Sequence, residues 1–532
     1  MAKIKESTFF NLGDNFIMIN KSLYIILVLI GISFSGYGQY EHIQFKNEYE
    51  RTILSELENH TDIEILLAIS ENGSKSLENK ITSHINALKS ELSKKKFEAK
   101  SEEKKLKLLF DLTHKTFFLK YKEVSNFNEI FNTKEYNCVS ATALYSLILN
   151  EYNIPYSIKE TPTHVFLIAY PSSKDIILES TAPTNGYFNP SSSEIQKAVN
   201  SLIELKYYTQ EEVESKGIRQ VYNEFFYNED EIDLKKLAGL QYHNEAIKYY
   251  SEDNYEQALN SIYKSRLLYP SEKSEFLSYA FLSKILNKTD FTDFKHIKYL
   301  AQFANLPIVD SKEIISAYSM IINNRLFFES DHESMDSIYS YLKKQLSDST
   351  LIKDLSEIHY EGFAKYYAKK SDFNKSLEYS TKAFEINPNN VNTQSLITQS
   401  LVQDLYRRGG SESTLEKMNE STEVFPFLKE NSLFQSLYFH TYATSAYYHL
   451  RADDLSGGLN YLKMMESLIE QFGNELKYDE NQYGMIYAEA GATYFRMRKY
   501  KEAKKIIEKG LSIIPNHPEL KIRLQIVIDE MK

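Results

Sequence analysis

The sequence has no tryptophan, one cysteine, 17 glycines and 11 prolines among its 532 residues. A single cysteine excludes an intramolecular disulfide framework and a zinc site built from several cysteines. Sparse glycine and proline argue against an array of β-sandwiches and favour long helices. The net charge is −11 and no sustained basic patch occurs, so nucleic acid is not an expected partner. No HExxH or comparable spacing occurs either, and neither a metal nor a cofactor is expected.

What the sequence does have is length, apolar residues and aromatic rings. Apolar residues make up 42% of the chain, and the aromatic residues are 41 tyrosines and 31 phenylalanines. A chain this long exceeds one ordinary hydrophobic core, so we expect two or more domains. The composition predicts a mainly α protein in which many rings fill the spaces between packed helices.

The N-terminal stretch has the pattern of a targeting segment. Residues 23–34 are almost all apolar, Lys21 precedes them and small residues follow. This predicts a secretory signal peptide over residues 1–38, with Met18 as an alternative start. An uncleaved membrane anchor is the alternative, although the apolar core is shorter than the about 20 residues of a spanning helix. No cysteine stands at the cleavage site, so we expect an exported bacterial protein, periplasmic or extracellular, that is not a lipoprotein.

The only cysteine, Cys138, lies where a loop is predicted to become a helix. Asn137 can cap that helix with its side chain, and the apolar pattern continues to about Glu151. A thiol in the first turn of a helix faces the positive end of the macrodipole and unpaired backbone N–H groups. Both features favour a thiolate nucleophile and the binding of an oxyanion.

After this helix the pattern changes to that of short strands. They are predicted at residues 156–159, 164–170 and 175–180. Pairing Tyr170 with Asp175 across the turn places His164 opposite Thr181, with Glu179 one diagonal step away on the same face. A register slip of one residue would move Glu179 to the other face. In the favoured register Glu179 can orient the imidazole of His164 towards Cys138, in the manner of a triad.

Four short motifs within residues 100–190 resemble the transglutaminase-like superfamily. They are Asn-Cys-Val-Ser-Ala-Thr-Ala-Leu from residue 137, Tyr-Asn-Ile-Pro from 152, Thr-His-Val-Phe from 163 and Leu-Glu-Ser-Thr from 178. The resemblance implies a papain-type site with Cys138 as nucleophile, His164 as general base and Glu179 as orienting acid. The sequence departs from the family where Asn137 replaces a usual Gly, Phe166 a frequent Trp and Glu179 a common Asp.

From about residue 238 the chain repeats itself. Three segments share one register of aromatic, small and proline positions, with a small residue at the eighth, twentieth and twenty-seventh positions. Their marker residues are Tyr242, Ala246, Ala258, Ser265 and Pro270; Tyr360, Ala364, Ser376, Ala383 and Pro388; and Tyr487, Gly491, Ala503, Gly510 and Pro515. The pattern resembles tetratricopeptide (TPR) repeats, which implies a superhelix of helical hairpins that binds a protein or peptide. A weaker copy is predicted around Tyr442, and degenerate hairpins over residues 273–345.

The sequence therefore predicts a mainly α protein with two parts. An N-terminal α+β domain of transglutaminase-like, cysteine-protease-like type occupies residues 39–237, and an α-helical TPR solenoid occupies residues 238–532. One hypothesis is an exported cysteine hydrolase or acyl transferase that acts on a peptide or amide bond, with the repeats recruiting a protein partner. The alternative is a non-catalytic adaptor, which a buried Cys138 sulfur would favour.

Overall fold

The computed structural model describes residues 43–161, 164–171, 176–178, 192–226, 231–410 and 412–532. The chain divides into two compact units, one that ends at Val309 and one that begins at Asp310. No described helix is both long and apolar enough to cross a membrane. The predicted signal peptide lies outside the described residues, and the predicted domain limits of 39–237 and 238–532 stay predictions.

The first unit begins with five α-helices followed by the helix that carries Cys138, which we call the cysteine helix. They are α1 (Glu48–Ser55), α2 (Asp62–Leu67), α3 (Lys75–Lys94), α4 (Glu102–Phe117), α5 (Glu129–Asn132) and α6 (Cys138–Glu151). Polar caps define where several of them start, for example the Thr61 hydroxyl, which accepts from the Glu64 N–H while the Glu64 carboxylate accepts from the Thr61 N–H. Asn153, with φ of 50°, and Pro155 end helix α6 as the sequence predicts.

Six short strands accompany these helices. Strands β1 (Lys120–Tyr121) and β2 (Glu135–Tyr136) pair in parallel, and the other four are β3 (Tyr156–Thr161), β4 (His164–Ala169), β5 (Ile176–Leu178) and β6 (Glu231–Ile232). These four form an antiparallel sheet in the order β5-β4-β3-β6. Ala169 pairs with Ile176 and Leu167 with Leu178, which confirms the register predicted from the turn.

The predicted α+β domain is wrong. Helices account for about 75% of the described residues and strands for only 4%, and these residues contain no sizeable α+β domain. The physical reason is that the hairpin has no core of its own. Val165 and Leu167 of β4 belong to the same apolar cluster as Leu144 of α6 and as Leu237 and Leu268, which lie in the first repeat. The short sheet is thus one part of a core that helices dominate.

Apart from β6, the regular elements in the remaining described residues of the first unit are helices. They are α7 (Ser192–Glu204), α8 (Gln210–Lys216), α9 (Ile218–Phe226), α10 (Leu234–Ser251), α11 (Tyr255–Leu268), α12 (Glu272–Leu286) and α13 (Phe294–Ala304). Helices α10 and α11 form the first repeat hairpin. They approach closely because Gly239 has no side chain, and a Cβ there would lie 2.8 Å from Cβ of Tyr269.

The second unit consists of helices throughout its described residues. They are α14 (Ser311–Ile322), α15 (His332–Gln345), α16 (Ser349–Lys369), α17 (Phe373–Ile386), α18 (Val391–Arg408), α19 (Glu412–Val424), α20 (Ser432–Arg451), α21 (Leu455–Phe472), α22 (Glu480–Arg496), α23 (Tyr500–Ile513) and α24 (Pro518–Glu530). The predicted second, third and weaker repeats coincide with the hairpins α16–α17, α22–α23 and α20–α21. At Gly510 a Cβ would lie 2.8 Å from Cβ of Tyr487, so the small residues do allow close approach.

Candidate functional site

The cysteine helix begins as the sequence predicts. The Asn137 Oδ1 accepts from the Ser140 N–H at 2.8 Å, and the Ser140 Oγ accepts from the Asn137 N–H at 3.0 Å. The Asn137 amide also donates to the Glu123 carbonyl at 3.1 Å, which fixes the preceding loop. This cap places Cys138 in the first helical turn. The cap also occupies the Ser140 N–H, one of the donors that a helix start could offer to an oxyanion.

The cysteine helix packs against the strand that begins with His164. The Thr142 hydroxyl donates to the Val165 carbonyl at 3.2 Å, and both groups are buried. Thr142 lies one turn after Cys138, and Val165 is the residue after His164, so the two predicted site residues lie on adjoining elements. His164 is half-buried, and its ring stacks on that of Phe166 with centroids 6.1 Å apart.

Tyr121, which sequence reasoning missed, lies near the thiol. The β1–β2 pair aligns Tyr121 with Tyr136, and the two rings meet edge to face at 5.8 Å. Burial, together with the nearby Cys138 and Glu123, raises the pKa of Tyr121, so this phenol stays protonated. The sequence signal for this contact is a Tyr at the same position in two short β segments. Each segment has only two residues, which is too short to be recognised as a strand from the sequence.

The proposed triad of Cys138, His164 and Glu179 stays a prediction. Glu179 lies outside the described residues. Cys138 is only 1% exposed and belongs to the main apolar cluster of the first unit. A buried thiol favours the non-catalytic alternative, because free cysteines of this kind mostly pack as small hydrophobic side chains. Among the described residues, no three His, Cys, Asp or Glu side chains come together as a metal-binding group.

A second candidate site is a groove of about 460 Å³ in the second unit. Helices α18 and α20 and the start of α22 line it, so the first helices of three successive hairpins contribute. Tyr406 is 61% exposed and Leu433 is 50% exposed there, so two large side chains of the groove are open to solvent. The sequence reasoning missed the hairpin α18–α19, although the turns at Asn389-Asn390 and Gly409-Gly410 delimit its first helix.

Polar groups edge this apolar groove. The Tyr406 and His440 rings contact each other with centroids 5.4 Å apart, and the His440 Nδ1 lies 3.3 Å from the Gln482 Oε1. The exposed Lys477 also lines the groove, and its backbone N–H donates to the Ser436 Oγ at 2.9 Å. An apolar floor with a few oriented polar groups is the usual make-up of a binding surface.

Comparison with known proteins supports the repeat half of the chain. A sequence profile of the family described as "Tetratricopeptide repeat" matches residues 486–517, which lie in α22, α23 and the turn that follows them. A search of curated proteins found none that matches the sequence. Among solved structures, the chain is similar to one titled "Crystal structure of APC/C hetero-tetramer Cut9-Hcn1". The two share 10% identity over 94% of this chain and 93% of that chain, with a TM-score of 0.17, which is too low to carry an argument.

The fold and the profile match define the class of the protein. It is a helical-hairpin protein that contains a tetratricopeptide repeat, and such repeats build surfaces that bind other proteins. The comparisons show no transglutaminase-like domain.

Proposed function

We propose that this chain is a protein-interaction scaffold whose partner docks in the groove formed by α18, α20 and α22. The observation that carries the proposal is the exposure of Tyr406 and Leu433 on a concave surface next to the matched repeat. Burying these two side chains on binding would stabilise a complex by roughly 2 kcal/mol or more, because aromatic anchors in grooves dominate interface energetics.

A photo-crosslinker at the groove tests this proposal. Benzoylphenylalanine is introduced at Tyr406 in the full chain, which is expressed in its source cells and irradiated. We expect one discrete crosslinked partner whose yield falls by about tenfold when Leu433→Ala is added.

The matched control is benzoylphenylalanine at Tyr448. This tyrosine is 66% exposed on α20 but does not line the groove. Equal crosslinking to the same partner from both positions, or no loss with Leu433→Ala, would contradict docking in the groove.

We propose further that the scaffold acts outside the cytoplasm. The support is the apolar stretch of residues 23–34 with Lys21 before it. Cell fractionation with mass spectrometry of the mature N-terminus tests this. A chain recovered in the periplasm or medium that begins at Gln39 is the expected result, and a cytoplasmic chain that begins at Met1 is the contrary one.

A further inference from the structure

Residues 43–47, which we call the strap, lie along the first repeat hairpin (α10 and α11). The Gln44 N–H donates to the Asn260 Oδ1 at 2.7 Å, and the Asn260 amide donates to the Gln44 carbonyl at 2.9 Å. A single side chain thus pairs with both polar groups of one backbone residue. This arrangement is independent of the Gln44 side chain, and Gln44 itself is exposed.

The lysine of the strap has a dedicated acceptor site. The Lys46 ammonium contacts the Glu245 carboxylate of α10 at 2.5 Å and donates to the Ile69 carbonyl at 3.0 Å. The Ser261 hydroxyl of α11 donates to the other oxygen of Glu245 at 2.8 Å, which holds the carboxylate in place. Burial works against the charge of Lys46, but the nearby Glu245 prevails and the pKa of Lys46 is raised.

The aromatic residue of the strap lies near two cations. The Lys264 ammonium of α11 lies 5.9 Å from the centroid of the Phe45 ring, and the Arg51 guanidinium lies 5.8 Å from it. Ile43, at the other end of the strap, is 8% exposed. The hairpin therefore contacts three successive residues of the strap, through a backbone pair, a ring and an ammonium group.

These contacts differ from those of ordinary packing between helices. The strap has no regular secondary structure, so its backbone groups need partners from elsewhere. The hairpin supplies them to Gln44 through Asn260, whereas the Lys46 N–H donates to the Glu50 carboxylate of α1. The hairpin also supplies charge through Glu245 rather than an apolar surface alone. A side chain that binds a backbone N–H and C=O together is suited to holding a peptide segment of varied sequence.

We propose that the first repeat hairpin is a peptide-binding surface and that the strap is its intramolecular ligand. The segment it fits is an irregular stretch with an aromatic residue followed by lysine, here Phe45-Lys46. A competing segment of this chemistry has to displace the strap. Since a short tether gives an effective concentration on the order of millimolar, the tethered strap blocks weak competitors. The inference concerns a different surface from the groove and does not depend on it.

A full-chain variant with a weakened strap tests the proposal. Gln44→Pro removes the N–H that donates to the Asn260 Oδ1, and Lys46→Ala removes the ammonium group. The residues of the hairpin stay unchanged. The probe is a fluorescein-labelled synthetic peptide of residues 43–48, Ile-Gln-Phe-Lys-Asn-Glu, followed by fluorescence anisotropy. We expect saturable binding to this double variant and about tenfold weaker binding to the wild-type chain, whose surface the strap occupies.

Two matched controls assign the binding to the predicted contacts. Adding Asn260→Ala to the double variant weakens binding by about tenfold, and so does a peptide in which Lys46→Glu replaces the ammonium with a carboxylate. No saturable binding to a double variant with wild-type helicity, or equal binding to all the proteins, overturns the proposal.

Hydrogen exchange provides a test if the double variant does not fold. In the otherwise unchanged chain, Asn260→Ala should accelerate exchange of the Gln44 amide by about tenfold or more, while the amides of α16 in the second unit keep their rates. Unchanged exchange at Gln44 overturns the proposal.

Discussion

The cysteine region of the first unit and the groove of the second unit both gather aromatic and polar side chains, but they differ in exposure. Cys138 is 1% exposed within an apolar cluster, whereas Tyr406 is 61% exposed and lines an open groove. Motif spacing alone identified the first site, and it did not reveal how deeply the thiol lies. Exposure, more than residue type, therefore separates a packing cluster from a binding surface.

The cysteine region of the first unit shares its core with the first repeat. Strand β4 of the cysteine region and helix α10 of the first repeat contribute to one apolar cluster. Glu50 of α1 accepts from the Tyr242 hydroxyl at 2.9 Å and from Lys264, and both residues belong to that repeat. The N-terminal helices thus pack against the first hairpin and stabilise it.

Breaking the buried pair of Glu50 and Lys264 should give the largest effect. Both side chains are 0% exposed and their charged atoms lie 2.9 Å apart. Lys264→Met leaves the Glu50 carboxylate buried without its counter-charge, and we expect the free energy of unfolding of the first unit to fall by about 3–5 kcal/mol. Hydrogen exchange of the slowest amides in α10 measures this loss.

The control for this prediction is an ion pair of the same unit at the surface. Lys295 and Glu256 lie 2.8 Å apart, and each side chain is 45% exposed. Lys295→Met should cost no more than about 1 kcal/mol. Equal losses for the two lysine variants would show that Glu50 and Lys264 do not join the N-terminal helices to the repeat.

Acid should weaken the second unit through His359. This side chain is 2% exposed. Its Nδ1 shares a hydrogen bond of 2.9 Å with the Tyr318 hydroxyl, and its Nε2 lies 3.5 Å from the Asp336 carboxylate. Burial, and then Lys382, lower the pKa of His359 to about 3 from the model-peptide value of 6.5. The unfolded chain therefore binds the proton first, so stability is complete above pH 6.5 and is lost as pH falls. The loss should reach about 2 kcal/mol at pH 5.

Thermal unfolding of the second unit at pH 7 and pH 5 measures this effect. The variant His359→Gln keeps a group that can bond to the Tyr318 hydroxyl but does not titrate, so the difference between the two pH values should shrink by about 2 kcal/mol. An unchanged difference would mean that His359 is already charged in the folded chain.

Removing the cap of the cysteine helix should have a moderate effect. Asn137→Ala leaves the Ser140 N–H and the Glu123 carbonyl without their partner, and we expect a loss of about 1–2 kcal/mol in the first unit. Asn137→Asp, which keeps the acceptor, should recover about half of it. If Asn137→Ala costs nothing, the helix start is not held by this cap and the sequence argument for it is wrong.

The thiol itself should contribute least. Cys138→Ala removes one buried atom and should cost about 1 kcal/mol. Iodoacetamide should label the folded chain much more slowly than the unfolded chain at every pH up to about 8.5, the ordinary range of a thiol. Fast labelling of the folded chain below pH 7 would restore the case for an activated nucleophile.

Local features were predictable from the sequence where short-range chemistry determines them. The cap at Asn137, the end of α6 at Pro155, the β4–β5 register and the repeat hairpins all follow from patterns within about 35 residues. The α+β domain was wrong because the core that Val165 shares with Leu237 and Leu268 joins residues far apart in the chain. The Asn260–Gln44 pair spans 216 residues and had no local signal. The hairpin α18–α19 lacks the repeat markers, and only the turns on either side of its first helix indicated it.

We propose that the exposed groove, and not the buried cysteine, carries the function of this protein. The most direct measurement compares recovery of the crosslink-identified partner by full-length Tyr406→Ala and Cys138→Ala chains purified under the same conditions. We expect about tenfold less partner with Tyr406→Ala and an unchanged amount with Cys138→Ala. Loss of the partner with Cys138→Ala and its retention with Tyr406→Ala would contradict docking in the groove.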